Sequence, residues 1–216
     1  MDPVPPAQLR PGVVLPLTGA ASILLLLSAL GPGDPVADVI SDYALHPSSA
    51  PWFALCVLLL AIGGTAALTG LPRSWAFRAW QGGAVLCVVF PSNADGESTF
   101  SGDVHRLAGG ALLASLPVVG WKVARWAGAT GHARTVVRLS LLVLVTALLF
   151  GVSHLTASPL GVARGLFERI TVFAQAGLLL AIAATPRLIP AKAESQSDDV
   201  PESTDKRDAA VPPPQV

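Results

Sequence analysis

Long apolar runs, separated by short polar stretches, set the pattern of this chain. Gly12–Gly31, GVVLPLTGAASILLLLSALG, is the first run. About 20 such residues cross a bilayer core as a helix. Pro16 falls in its first turns, where a missing N–H is tolerated. The runs predict helical spans at about 12–31, 52–71, 77–91, 104–121, 139–157 and 166–185. The expected fold is therefore all-α and integral to a membrane, a six-transmembrane-helix bundle over 12–186. An N-terminal segment 1–11 precedes it, and a charged, proline-rich tail, 187–216, is expected to be disordered. The first run is near full span length and more follow, so it is read as an uncleaved helix and not a signal peptide. The third run is short, starts within the basic turn Pro72–Phe77 and is ended by Pro91.

Two polar islands interrupt the pattern. Asp34–His46 follows the first span, and Phe90–His105, FPSNADGESTFSGDVH, follows the third, so both belong on one side of the bilayer. Within the first, ADVISDYAL is expected to form a short helix at the interface, capped by Ser41 or Asp38. Charge then sets the orientation. Of 14 Arg and Lys, only Arg106, Arg164 and Arg169 fall on the island side. The positive-inside rule places the other side, with both termini, in the cytoplasm. Before the tail, and apart from Asp2, the acids sort oppositely: Asp34, Asp38, Asp42, Asp95, Glu97, Asp103 and Glu168 all fall on the outer side, with His46, His105 and His154.

Composition agrees with a bilayer. The chain is 52% hydrophobic and 13% charged, with mean hydropathy +0.59, against about 25% charged for a soluble domain. A net charge of zero and the lack of a basic stripe with interleaved aromatics argue against a nucleic-acid partner. The expected partners are membrane lipids, with association between copies of the chain left open. The excess of Arg over Lys, with abundant Ala, Gly and Pro, fits a GC-rich bacterial genome. Two cysteines supply neither a metal framework nor a disulfide lattice. Cys56 and Cys87 sit near the outer ends of adjacent spans, where they either pair or pack as small residues.

The islands also carry a resemblance. VISDYAL (Val39–Leu45), VFPSNADGES (Val89–Ser98), GDVHRLAGG (Gly102–Gly110) and GLFERI (Gly165–Ile170) occur in that order. In order and spacing they resemble the bacterial and archaeal membrane proteins of the domain of unknown function 998 family, over roughly 11–188. The chain departs from that family at Asn93, where many members carry Asp; Asp95 is the acid placed to compensate. A fainter similarity runs to the six-span DRAM-type autophagy modulators, with an ISD-type loop after the first span and a His early in the fourth. The resemblance implies an architecture and a site, and no reaction.

Ionisable residues inside a span are functional candidates. His105 is expected one turn into the fourth span and His154 one turn below the outer end of the fifth, at similar depth. Three readings follow. His105 and His154 with Asp42 or Asp103 are candidate ligands of a divalent metal, and such a site, open to water, would serve a metal-dependent hydrolase at the outer leaflet. Against it, no HExxH spacing is present. The two histidines could instead clamp a haem, although His46 and His132 fall in loops and offer no second pair. In the third reading Asp42, Asp95, Asp103, His105, Arg106, His154, Glu168 and Arg169 form a polar network. It either orders the bundle, with no cofactor, or recognises a lipid headgroup or small polar ligand, for which Arg forks are suited. Glu168 favours the positive start of its helix, and Arg169 is expected to pair with Asp103 or Asp42. Gln81 and Gln175 are expected to bond across helices, and the runs Gly63–Gly70 and Ala108–Ser115 to pack them closely. No phosphate loop, nucleophile elbow or inverted repeat of broken helices is present.

Overall fold

A computed structural model describes residues 10–71, 74–93, 98–155 and 158–185. Asp95, Glu97, Arg73, most of the N-terminal segment and the tail lie outside the described residues. The rest is helical, with no strand among the described residues. The helices are α1 (Pro11–Leu30), α2 (Ala50–Leu68), α3 (Trp75–Val89), α4 (Phe100–Trp126), α5 (Gly131–Ser153) and α6 (Arg164–Ala183). Short 3₁₀ turns, Ile40–Leu45 and Pro159–Ala163, precede α2 and α6.

Local chemistry sets the ends. Ser74, Thr99 and Thr130 cap α3, α4 and α5, their hydroxyls accepting the N–H of Phe77, Gly102 and Ala133. The last two caps explain the clearest difference from the expected spans. α4 starts four residues before 104 and runs on to Trp126, and α5 starts at Gly131, so the basic connection expected over 122–138 shrinks to residues 127–130. Its Lys and Arg side chains ride on helix ends, where cations cost little. His132, expected in a loop, lies instead in the first turn of α5 and donates from Nε2 to the Ala181 carbonyl at 2.7 Å. That carbonyl is in the last turn of α6, where acceptors lack helical partners.

Five segments are long and apolar enough to cross a membrane: α1, α2, α4, α5, and α6 with the turn before it. This places the chain among membrane proteins. α3 is the exception, because 15 helical residues reach only about 22 Å. Leu, Val and Ile side chains are exposed on the bundle's flanks, as at Leu25, Leu26 and Leu148, which suits a lipid surround. Among the tryptophans, Trp52, Trp75, Trp121 and Trp126 are exposed and only Trp80 is fully buried.

Helices adjacent in sequence pack together, and α6 also touches α1, α2 and α4. Glycines set the closest approaches. A Cβ on Gly64 would run into the Trp80 ring, and one on Gly120 into Ser140 and Leu178. The amides bond across helices as expected. Gln81 donates to Thr65 at 2.8 Å. Gln175, fully buried on α6, accepts from Trp80 Nε1 at 3.2 Å and donates to the carbonyls of Leu112 and Leu113, each at 3.3 Å. Pro117 lies inside α4 and has no N–H for the carbonyl four residues back, which is Leu113. Gln175 fills that gap, as buried side chains do for prolines in lipid.

Candidate functional site

The described acids, with His46, His105 and His154, meet at one end of the bundle because the connections α1–α2, α3–α4 and α5–α6 share that end. The described residues Asp34, Asp38, Asp42, Asp103 and Glu168 are all there. The opposite end carries Arg10, Arg78, Lys122, Arg125, Arg134 and Arg138.

The first turn of α6 holds the segment after α1 as a strap. Leu166 N–H donates to the Val36 carbonyl and Arg164 Nε to Ala37, both at 3.0 Å. Arg169 Nη1 donates to the Asp38 carbonyl at 2.7 Å, and the N–H of Ile40 donates to Glu168 Oε2 at 2.5 Å. Ile40 opens the 3₁₀ turn, so Glu168 caps that turn from another helix. The cap expected from Ser41 or Asp38 is absent: Asp38 accepts the N–H of Asp34 at 2.7 Å, and Asp42 accepts that of Val39 at 3.2 Å. Gly165 permits the crossing, since a Cβ there would collide with the Asp38 carbonyl.

Arg169 is buried, and its partners correct the expectation of a carboxylate. Besides Asp38 it donates to Ser28 Oγ at 2.9 Å, Tyr43 Oη at 2.8 Å and its own helix at Gly165 O, 3.0 Å. Its guanidinium also lies 5.5 Å from the Tyr43 ring centroid, within cation–π range. The planar fork thus ties α1, the strap and α6 through neutral acceptors. Asp103 is engaged elsewhere, in an ion pair with Arg106 one turn along α4. Both are more than half exposed, and such surface pairs contribute about 0–1 kcal/mol. Because α4 begins at Phe100, Asp103 falls in its first turn on the outward face. His105, two residues on, points the other way. The single network expected from sequence therefore divides into a buried part around Arg169 and an exposed pair at Asp103.

His105 is 7% exposed and donates from Nδ1 to the Phe90 carbonyl at 2.7 Å, closing the end of α3. A carbonyl only accepts, so Nδ1 carries the proton and Nε2 is left without a partner in this structure. His154 ends α5 at its C-cap and is exposed, with Nδ1 3.0 Å from the Phe150 carbonyl. It sits higher than the one turn of burial expected, because the helix stops at Ser153. Asn93 accepts from Thr99 at 2.5 Å, its side chain seated against Gly102. Cys56 and Cys87 are free and buried. Cys56 donates to the Ala20 carbonyl at 3.3 Å, as a small packing residue does.

These groups surround a cavity of about 550 Å³. Asp42, His105, Arg106, His154 and Glu168 line it, joined by Ser41, Asn93 and Arg164. Its deeper walls are apolar: Leu24, Phe53, Leu60, Leu112, Leu148 and Val172. The charged neighbours of Glu168 are Arg169, Asp42 and Arg164. Asp103 and Arg169 do not line the cavity, and Asp95 is outside the described residues. Among the described residues no three His, Cys, Asp or Glu side chains form a group that could hold a metal ion.

Sequence reasoning missed Arg164, Asn93 and Tyr43 as members of the site. Arg164 precedes Glu168 by four residues, one helical turn, and its place as a charged neighbour of Glu168 becomes visible once α6 starts at 164 and not at 166. From the sequence, Asn93 reads only as a departure from Asp. No local signal pointed from Tyr43 to Arg169.

No curated protein and no solved structure matches this chain. Residues 13–185, nearly all of the helical bundle, match the family model described as "Protein of unknown function (DUF998)", and the chain belongs to that family.

Proposed function

We propose that the chain is a multi-pass protein of the cell membrane that binds a lipid headgroup or small polar ligand in the cavity at its acidic end. On this reading all six helices cross the bilayer, the short α3 included, both termini are cytoplasmic, and the cavity opens outward. The basic end supports that orientation through the positive-inside rule. The observation that carries the ligand reading is the cavity's polarity: Asp42, His105, Arg106, Arg164 and Glu168 at its mouth, leucines and Phe53 beneath. A few placed polar groups over an apolar floor are the usual make-up of a small-molecule site. The mouth offers cations, carboxylates and the Nε2 acceptor of His105, a set suited to a head bearing both charge and hydrogen-bonding groups.

The test is lipid extraction and mass spectrometry on the detergent-purified chain, beside His105→Ala and Glu168→Gln. A defined amphiphile bound to the wild type and lost from the variants is expected. A wild type that carries none, or variants that retain it fully, overturns the reading. Metal analysis and a visible spectrum on the same samples give the other outcome. A stoichiometric metal or a haem band that vanishes in His105→Ala would replace headgroup binding with cofactor chemistry.

A further inference from the structure

We infer that the cavity takes an acyl chain as well as a head, and that the ligand is a lipid of one leaflet entering sideways between α4 and α5. The inference rests on the headgroup reading of the mouth and adds the route and the ligand class.

The cavity's walls differ in exposure. On the side of α1, α2 and α3 they are closed: Leu24, Phe53, Cys56, Leu60 and Cys87 line it and are all buried. On the side of α4 and α5 several lining residues are also surface residues, beside buried ones such as His105 and Leu112. Arg106, Gly110 and Ala114 form one exposed row on α4, and Leu144, Leu148 and Gly151 one on α5. Two exposed rows that flank the cavity are what a side opening between them presents. We place the side opening between these rows, on helices long and apolar enough to cross a membrane.

Two glycines leave room beside the cavity at the acidic end of these helices. Near the basic end they touch, since a Cβ on Gly120 would strike Ser140. Further along, a Cβ on Gly110 or Gly151 would meet nothing within 4 Å. Arg106 to Ala114 spans about 12 Å and Leu144 to His154 about 15 Å at helical rise. One leaflet of hydrocarbon is about 15 Å, half of a 30 Å core. The slot is thus a leaflet deep, polar at the end where headgroups lie and apolar below.

A second, independent feature points into the same space. His105 is buried, lines the cavity, and has one ring nitrogen held by Phe90 and the other unpartnered. That nitrogen is not enclosed by protein atoms; it is reachable from the cavity, where a headgroup hydroxyl, ammonium or protonated phosphate would supply its donor.

The experiment uses the full chain in phosphatidylcholine and phosphatidylglycerol vesicles doped with a phosphatidylethanolamine that carries a diazirine in its acyl chain. After illumination, adducts are mapped by mass spectrometry. Adducts at the buried wall residues Phe53 and Leu60 are expected, beside those at the surface residues Leu25 and Leu26. The double variant Gly110→Leu, Gly151→Leu adds two branched side chains beside the slot, at positions where a Cβ meets nothing within 4 Å. It should lose the Phe53 and Leu60 adducts and keep the surface ones, which also report that it folds. Gly82→Leu, equally open but away from the cavity, should change nothing. A wild type without adducts at Phe53 and Leu60, or adducts that persist in the double variant, overturns side entry. Wall adducts that vanish in the double variant yet are undiminished by His105→Gln and Glu168→Gln keep side entry and sink the headgroup reading instead.

Discussion

Glu168 and Ile40 are 128 residues apart, and the carboxylate of one accepts the backbone N–H of the other at 2.5 Å. The helix that brings Glu168 there also touches α1, α2, α4 and α5, so the strap over the cavity mouth is tied to the centre of the bundle. Glu168→Ala leaves the Ile40 N–H without its acceptor and should cost about 1–3 kcal/mol. Glu168→Gln keeps an acceptor oxygen and should cost clearly less. Thermal unfolding in detergent distinguishes them. Equal melting temperatures for wild type, Glu168→Ala and His105→Ala would sink the view that these groups order the mouth.

Arg169 is a stronger case, because its fork reaches Ser28, Asp38, Tyr43 and Gly165 at once. Lysine keeps the charge but cannot span those acceptors. Arg169→Lys should therefore destabilise by about 2–3 kcal/mol, and Tyr43→Phe, which removes one bond, by about 1 kcal/mol. Limited proteolysis within 34–46 should rise in both, in the same order. A lysine variant as stable as wild type would show that the fork geometry is immaterial.

Gln175 and Pro117 should be coupled. Gln175→Leu strands the Leu113 carbonyl and Trp80 Nε1, at about 1 kcal/mol for an interhelical bond in lipid. Pro117→Ala restores an N–H for Leu113. The Gln175→Leu penalty should therefore be smaller in the Pro117→Ala background. A double-mutant cycle on unfolding midpoints measures this; strict additivity would refute the repair role.

Gly64 faces the Trp80 ring with no room for a side chain. Gly64→Val should destabilise by about 1–3 kcal/mol through overpacking, and Trp80→Leu in the same chain should recover part of it. Gly12→Val, in open space, is the control that should stay within about 0.5 kcal/mol of wild type.

Much of the architecture was legible in the sequence for one physical reason: a bilayer demands long apolar runs and leaves few places for charge. The helices follow those runs, and the quartet VISDYAL, VFPSNADGES, GDVHRLAGG and GLFERI already carried the family. The errors were of reach. Thr99 and Thr130 begin helices before the apolar residues do, so α4 and α5 extend past their runs and His132 becomes helical. Asp103 and His105, neighbours in sequence, part company because 200° of helical turn separates their side chains.

By itself, then, the sequence determined that the chain is helical, suited to a membrane, acidic at one end and basic at the other. Those properties are sums over many residues, and no single contact alters them. Only the tertiary structure decided which groups meet. That Arg169 binds Tyr43 and three other neutral acceptors and no carboxylate, that Glu168 caps Ile40, and that Gln175 repairs the break at Pro117 depend on how α6 is rotated and seated among its neighbours. That seating is set by close packing at points such as Gly64, Gly120 and Gly165, where the absence of one methyl group admits a ring, a side chain or a carbonyl from another part of the chain.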